Sequence, residues 1–224
     1  MSPTTRRASV PEIALVLGLP TAVFLTGCVF SLMRGPSHVV FTNVGQLQLL
    51  AEEAIAAAVF LPFLRHRGWT PGAIAGAPDP FDVLRGGLVW LGSYAAYYFA
   101  LVLVLAITPS WGATLQATRF AGGISVPVAV VTALLNPLFE EFLWLGYAVS
   151  ALEPRIGLRG ACIVSVGLRV AVHSYQGPFA LVGILPMAVV FTWYYARTGR
   201  LWPLFVAHVI GDAAAFGVLA ASKH

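Results

Sequence analysis

Long apolar runs, separated by short polar connections, make up most of this chain. A run of about 20 apolar residues can cross the hydrocarbon of a bilayer as one α-helix. Runs near this length lie at residues 10–32, 44–64, 82–107, 125–152, 159–175, 178–197 and 201–220. Helices are favoured because membrane strands occur only in closed barrels and are about half as long. The pattern predicts an all-α, polytopic bundle of about seven spans, forming a single membrane-embedded domain over residues 1–224.

Arginine residues are divided unequally between the two sides of the predicted bundle. With the N-terminus inside, the inner segments contain Arg6, Arg7, Arg65, Arg67, Arg85, Arg155, Arg159, Arg197 and Arg200. The outer segments contain only Arg34, Arg119 and Lys223. Basic residues accumulate on the cytoplasmic side of membrane proteins. The bias predicts a cytoplasmic N-terminus and an external C-terminus, and the abundance of Ala, Gly and Arg favours a bacterial inner (plasma) membrane.

The composition agrees with a membrane location and argues against a nucleic-acid partner. Hydrophobic residues make up 58% of the chain and charged residues 10%, whereas soluble domains carry about 25% charged residues. The net charge of +4 comes from residues scattered through short connections and not from a basic patch. The expected surroundings are therefore the lipid bilayer.

Ionisable side chains occur inside three of the predicted spans, where charge is costly. A charged group at a helix centre costs roughly 2.5–3.5 kcal/mol on insertion scales, so such groups usually pair, line a polar cavity and serve a function. The residues are Glu140, Glu141, Arg169, His173, His208 and Asp212. Carboxylates and imidazoles together transfer protons and activate water. The sequence therefore predicts a functional site inside the bundle.

Spacing places four of these residues in pairs on single helix faces. Residues four apart share a face, as Arg169 and His173 do on one span and His208 and Asp212 do on another. A lone histidine in a span is often only a core residue. Two histidines on separate spans, each with a charged residue one turn away, indicate a site more strongly.

The span that carries the two glutamates has further polar features. Asn136 shares a face with Glu140, whereas Glu141 points about 100° away from Glu140 on a regular helix. Pro137 has no N–H and frees the carbonyl of Ala133, which predicts a kink or a polar pocket at this depth.

Three motifs, in order on successive apolar segments, resemble those of the CAAX protease and bacteriocin-processing family, also called the ABI family, of intramembrane proteases. Its first motif is EExxxR, its second FxxxH and its third HxxxN or HxxxD. Here Glu140 and Glu141 start the first motif, His173 fits the second, and His208 with Asp212 fits the third. The resemblance covers about residues 126–212 and implies a helical membrane protein with peptidase activity.

The resemblance also implies a role for each motif residue. Glu140 with His173 would activate the water that attacks the peptide bond, and His208 with the residue at 212 would stabilise the developing oxyanion. An ionised carboxylate cannot donate a hydrogen bond to an oxyanion. We therefore expect Asp212 to orient His208 or to act while protonated.

Two positions depart from the family pattern. The arginine that ends the first motif is Leu145 here, and the phenylalanine that opens the second is Arg169. One span has lost a guanidinium and the next span has gained one. Our hypothesis is that Arg169 reaches across to Glu141 and replaces the missing intrahelical ion pair.

Two further observations constrain the site. Glu52 and Glu53 resemble a second first motif but have Ala57 where arginine would stand, so we expect an acid pair that faces a polar groove or a neighbouring arginine. Counting about 1.5 Å per residue from the inner ends of the predicted spans places His173 about 9 Å deeper than His208. The span boundaries or levels must therefore differ from this simple layout.

These observations predict a glutamate-type intramembrane endopeptidase that hydrolyses a membrane-associated or lipidated peptide. A proton-coupled transporter also suits ionisable residues in spans, and Leu145 leaves open an inactive immunity or interaction protein. We expect no cofactor. Zinc held by Glu140, His173 and His208 is the alternative chemistry, disfavoured because the chain lacks an HExxH motif.

Overall fold

The computed structural model describes residues 8–33, 38–112, 119–178 and 180–221. Within these ranges the long elements are all helices, which confirms the all-α prediction. In chain order they are α1 (Val10–Met33), α2 (Asn43–His66), α3 (Pro71–Ala75), α4 (Asp82–Ile107), α5 (Val126–Glu140), α6 (Ala148–Val172), α7 (Leu185–Thr198) and α8 (Trp202–Ala221). Shorter π-helical segments are Ala14–Gly18 inside α1, Glu141–Tyr147 between α5 and α6, and Ala180–Ile184 before α7.

Four helical segments in the described ranges are long and apolar enough to cross a membrane: Val10–Met33, Asn43–His66, Asp82–Ile107 and the continuous Val126–Val172. The clearest lipid-facing helix is α4, whose most apolar window has a mean hydropathy of 1.9 while only 11% of that window is buried in the protein. An exposed apolar surface of this extent is stable only against lipid. The predicted spans 125–152 and 159–175 are joined in Val126–Val172, and Trp202–Val218 is a shorter apolar helix.

Gly157 divides the long Val126–Val172 segment into an antiparallel hairpin. Its φ of 74° and ψ of 162° lie outside the helical region and are readily adopted only by glycine. The turn falls between the predicted spans 125–152 and 159–175. Glu140 precedes Gly157 by 17 residues and His173 follows it by 16, so both lie about 25 Å from the turn.

The start of α8 lies deeper than the Gly157 turn. Leu201 N–H donates to the Ala75 carbonyl at 3.0 Å, which docks the α7–α8 turn on α3. Gly146 packs so closely here that an added Cβ would lie 2.5 Å from Ile74 and 2.6 Å from Leu201. Because α8 starts at the level of Gly146, His208 needs only two turns to reach the depth of Glu141. The depth mismatch predicted from equal span ends is therefore absent.

Helix α3 is itself a difference from the sequence-based expectation. The proline-rich connection 65–82 predicts an irregular loop, but Thr70 caps a helix at Pro71–Ala75 by accepting the Ala73 N–H. Ile74 is fully buried. Burial of this side chain against Gly146 compensates for the poor helix propensity of the segment.

Contacts at one end of the bundle join segments that the arginine distribution assigns to the inner side. Arg155 donates to the Ala8 carbonyl, with Nε at 3.0 Å. Glu12 accepts from Arg67 Nε at 2.9 Å and from Trp69 Nε1 at 2.6 Å. The N-terminal segment, the α2–α3 connection and the α5–α6 hairpin therefore meet on the same side.

An ion-pair network at that end fixes the α7–α8 turn to the start of α4. Arg200 Nη2 lies 2.8 Å from Asp82, and Arg85 Nη1 lies 3.1 Å from Asp82 and 3.2 Å from Asp79. The backbone N–H of Phe81 and the Arg85 guanidinium hold the pKa of Asp79 below its usual range. Asp79 is thus a carboxylate at neutral pH and keeps the network paired.

A short parallel sheet lies between the connections at the opposite end. Strands β1 (His38–Thr42) and β2 (Arg119–Gly123) pair from His38 opposite Arg119 to Thr42 opposite Gly123. The ring of Phe41 contacts that of Phe216 on α8, with centroids 5.8 Å apart. The apolar pattern of the spans gives no signal for these strands. Arg34 and Lys223, which contribute to the predicted charge bias, lie outside the described residues.

The close packing of α4 against α8 can be tested by a substitution at Gly86. A Cβ at Gly86 would lie 2.6 Å from Val206 Cβ and 2.7 Å from the Pro203 carbonyl, whereas nothing lies within 4 Å of a Cβ at Gly87. We expect Gly86→Ala to lower the free energy of unfolding by about 1–3 kcal/mol through overpacking. Gly87→Ala is the matched control. Thermal unfolding in detergent should show a lower Tm for Gly86→Ala alone; equal Tm values for both variants would contradict the packing.

Candidate active site

The two glutamates lie where the helix widens. Glu140 ends α5, and Glu141 begins the π-helical segment Glu141–Tyr147. The disturbance predicted near Pro137 is present, but the helix continues through the proline and widens four residues later. Ser165 Oγ of α6 donates to the Trp144 carbonyl at 2.6 Å, which satisfies a backbone group in the widened turn. Such π-segments often occur at functional sites.

Glu140 is a buried carboxylate with one oxygen held and the other without a hydrogen bond. Glu140 Oε1 accepts a hydrogen bond from Asn136 Nδ2, and the two atoms lie 3.2 Å apart. Oε2 is buried and has no hydrogen-bond partner among the described residues. It lies 3.9 Å from His173 Nε2. This separation is too long for a direct hydrogen bond but fits a single small polar molecule that touches both atoms.

His173 follows the last residue of α6, and its ring is held from the opposite side. Nδ1 lies 2.8 Å from the Arg169 carbonyl. A carbonyl only accepts, so Nδ1 carries the proton and Nε2 is the nitrogen free for chemistry. Cys28 of α1 donates to the neighbouring Val172 carbonyl at 3.0 Å. The end of α6, and with it the histidine, is therefore fixed by backbone contacts.

Glu141, Arg169 and His208 form one buried cluster from three elements. Glu141 Oε1 lies 2.8 Å from Arg169 Nη1 and 2.7 Å from His208 Nδ1. The predicted contact between Arg169 and Glu141 is thus present across two helices. Phe191 of α7 packs on both partners of Glu141, 5.6 Å from the guanidinium carbon of Arg169 and 6.2 Å from the His208 ring. Phe191 could not be predicted as a site residue, because it is one apolar residue among many in its span.

Asp212 contacts the other side of His208, but it is not the group that orients the ring. Asp212 Oδ1 lies 3.6 Å from His208 Nε2, beyond hydrogen-bond distance, and the aspartate side chain is 22% exposed. The short hydrogen bond comes from Glu141. Asp212 follows His208 by one turn of the same helix, so its carboxylate lies on the Nε2 side of the ring. The Nδ1 side of the ring faces Glu141 instead.

Glu53 of α2 is a site residue that sequence reasoning missed. Its side chain is buried, and its Oε1 accepts from Asn136 Nδ2 at 2.7 Å. The polar groove that the Glu52–Glu53 pair is expected to face is therefore the site itself. Glu52 points elsewhere and accepts from Gln48 at 2.8 Å. A usable signal was the seven-residue spacing of Gln46 and Glu53, which places both on one buried helix face.

The arrangement concentrates carboxylates around two imidazoles. The site contains four carboxyl groups, those of Glu53, Glu140, Glu141 and Asp212, and the guanidinium of Arg169, which contacts Glu141. Burying so many anions is costly unless protons or cations are shared among them. Among the described residues, no group of three or more His, Cys, Asp or Glu side chains has the arrangement of a metal site.

Comparison with known proteins places the site in a family. Residues 122–214 match the family model for type II CAAX prenyl endopeptidase Rce1-like proteins. This region is similar to the CAAX protease family. The predicted resemblance is confirmed, and the Rce1-like region runs from before α5 into α8, so it includes Glu140, Glu141, His173, His208 and Asp212. No curated protein and no solved structure matches the chain.

The Rce1-like match supports an intramembrane protein of the CAAX protease type. Glu53, on α2, lies outside the matched residues. The apolar helices are consistent with an integral membrane protein.

The hypothesis that Arg169 replaces an arginine at position 145 can be tested by exchanging the residues at the two positions. We expect Arg169→Phe to lower the free energy of unfolding by about 3–5 kcal/mol, because it leaves Glu141 buried without its cationic partner. Leu145→Arg returns a guanidinium to the helix that carries Glu141, so the double variant should be more stable than Arg169→Phe. Arg159→Phe, at an exposed position of α6, is the control and should change stability by less than about 0.5 kcal/mol. Denaturant unfolding in detergent measures all four. A double variant no more stable than the worse single variant would contradict the compensation.

Proposed function

We propose that the protein is a glutamate-type intramembrane endopeptidase that hydrolyses a peptide bond in a small membrane-associated or lipidated peptide. The observation that carries the proposal is the 3.9 Å separation between Glu140 Oε2 and Nε2 of the buried His173. Glu140 Oε2 has no hydrogen-bond partner among the described residues. The Rce1-like match supports peptidase activity independently.

The geometry suits activation of one water molecule. A carboxylate oxygen and a neutral imidazole nitrogen are both acceptors, and a water donates one proton to each. Its oxygen lone pairs then face the substrate carbonyl. As the water oxygen bonds to the carbonyl carbon, Glu140 takes one of its protons. The tetrahedral intermediate collapses by breaking the C–N bond, and the amine leaves with that proton.

His208 is the group placed to stabilise the oxyanion. Glu141 fixes Nδ1 at 2.7 Å, so the ring presents Nε2 toward the side where Asp212 lies at 3.6 Å. A ring with protons on both nitrogens would donate to Glu141 through one and to the oxyanion through the other. Asp212 then supports the charge on the ring and does not itself contact the oxyanion. Arg169 neutralises Glu141 and keeps it in place.

A glutamate-type mechanism predicts that cleavage depends on Glu140 and His173 and does not depend on a metal ion. With purified protein and a panel of quenched lipidated and unlipidated peptides, Glu140→Gln and His173→Ala should each reduce kcat/KM by about 10²-fold or more. The first removes the base that takes the water proton, and the second removes an acceptor of that water. Wild-type cleavage should be unchanged by a metal chelator. Glu52→Gln and His66→Ala, at positions away from the site, are matched controls.

Each alternative chemistry gives a different result. Loss of activity with chelator and its return with zinc would replace the glutamate mechanism with a metal mechanism through Glu140, His173 and His208. Unchanged activity in Glu140→Gln would remove Glu140 from the mechanism. Absence of cleavage by the wild type across the panel would contradict the endopeptidase proposal.

We also propose that the N-terminus lies in the cytoplasm of a bacterium and the C-terminus outside its inner membrane. The contacts of Arg155 with Ala8 and of Arg67 with Glu12 support a common inner side. In a Cys28→Ser, Cys162→Ala background, which keeps a donor at position 28, Arg159→Cys and Ser110→Cys place single thiols at opposite ends. An impermeant thiol reagent added to intact cells should label only Ser110→Cys. Labelling of Arg159→Cys alone would reverse the orientation.

A further inference from the structure

A carboxylate outside the Rce1-like region is built into the Glu140 side of the site. Glu53 of α2 is 4% exposed, and its Oε1 lies 2.7 Å from Asn136 Nδ2. The same nitrogen lies 3.2 Å from Glu140 Oε1. An amide nitrogen carries two N–H groups, so Asn136 donates to both carboxylates at once. Three side chains from two helices therefore form a continuous hydrogen-bonded chain that ends at Glu140.

The amide of Asn136 has two possible orientations, and only one of them serves Glu140. In one orientation the NH₂ group donates a hydrogen bond to the Glu140 carboxylate. In the other, the amide oxygen would face the carboxylate, and two acceptors cannot form a hydrogen bond. Glu53, as an acceptor on the same side, favours the orientation that directs the NH₂ end inward. Without Glu53 the donor toward α2 loses its partner, and the preference for the productive orientation weakens.

We propose that Glu53 is a positioning residue for Glu140. It acts through Asn136, which holds Glu140 Oε1 and leaves Oε2 directed at His173. The inference rests on the proposed function, because the direction of Oε2 affects catalysis only if Glu140 and His173 activate the attacking water.

The structure allows the positioning role to be separated from a purely structural one. Helix α2 has a second attachment to α5 at its outer end, where Asn43 Oδ1 accepts the Ser125 N–H at 2.7 Å, ten residues before Glu53. Loss of one hydrogen bond at Glu53 therefore leaves α2 docked. Glu52, its neighbour on the same helix, accepts a hydrogen bond from Gln48 and serves as the control.

Steady-state cleavage by five variants tests the proposal. Glu53→Met keeps the side-chain length but removes the strong acceptor, and we expect kcat to fall by about tenfold or more with KM changed by less than about twofold, since misorientation of a reacting group affects turnover. Glu53→Gln keeps an acceptor oxygen and should stay within about threefold of wild type. Glu52→Met should match wild type. Combining Glu53→Met with Asn136→Ala should lower kcat no further than Asn136→Ala alone, because both act through one contact.

Three results would overturn the positioning role in protein whose Tm matches wild type. They are wild-type kcat in Glu53→Met, a kcat for Glu53→Gln as low as for Glu53→Met, or a double variant whose loss is the product of the two single losses. Should Glu53→Met not fold, the comparison of Glu53→Gln with Glu53→Ala gives the same test.

A readout without activity separates this inference from the proposed function. Crystals of wild type and Glu53→Met grown in a lipidic mesophase should show Glu140 bound to the Asn136 NH₂ group in the first and released or rotated in the second. If that change is seen while wild type cleaves no peptide, Glu53 still positions Glu140 and the peptidase proposal falls. If wild type cleaves and Glu140 keeps its position in Glu53→Met, the positioning role alone falls.

Discussion

One carboxylate oxygen joins the three parts of the site. Glu141 Oε1 lies within 2.8 Å of both Arg169 Nη1 and His208 Nδ1, so the π-segment, α6 and α8 meet at one atom. In a low-dielectric interior an unpaired charge is very costly, and each of these groups depends on the others for compensation. Mutual compensation of this kind fixes the relative depth and rotation of the elements. The distance between Glu140 and His173 is a consequence of that arrangement.

The family pattern is kept here in space although it has changed in sequence. The first motif normally supplies its own arginine, and this chain has Leu145 at that position. Arg169 provides the guanidinium from the next span instead. What the site requires is a cation beside Glu141, and either helix can supply it because the two helices pack side by side. An exchange of this kind can conceal a motif while its charge balance is preserved.

The sequence predicted the long helices and the motif residues well, for definite physical reasons. Lipid demands long apolar helices, and charge is so costly inside them that the few ionisable residues identify the site. Helix α3, the two strands and the depth at which α8 starts were not predictable in this way. They depend on tertiary contacts, such as Leu201 with Ala75, which leave no periodic pattern. The contact of Glu53 with Asn136 was not predictable either, because periodicity assigns a residue to a face but does not say which helix that face meets.

The close contact of Gly146 with Leu201 means that the bundle is uneven in height. The α5–α6 hairpin continues eleven residues beyond Gly146 to the turn at Gly157, a rise of about 16 Å, whereas α7 and α8 turn back at the level of Gly146. The flank formed by the α5–α6 hairpin therefore extends further, with Arg155 and Arg159 close to its turn. The flank formed by α7 and α8 ends at the level of Gly146. The histidine of α8 therefore lies about two helical turns from the end of the protein on the α7–α8 flank, whereas the same site lies about 25 Å from the Gly157 turn. The site is closer to the aqueous phase on one flank than on the other.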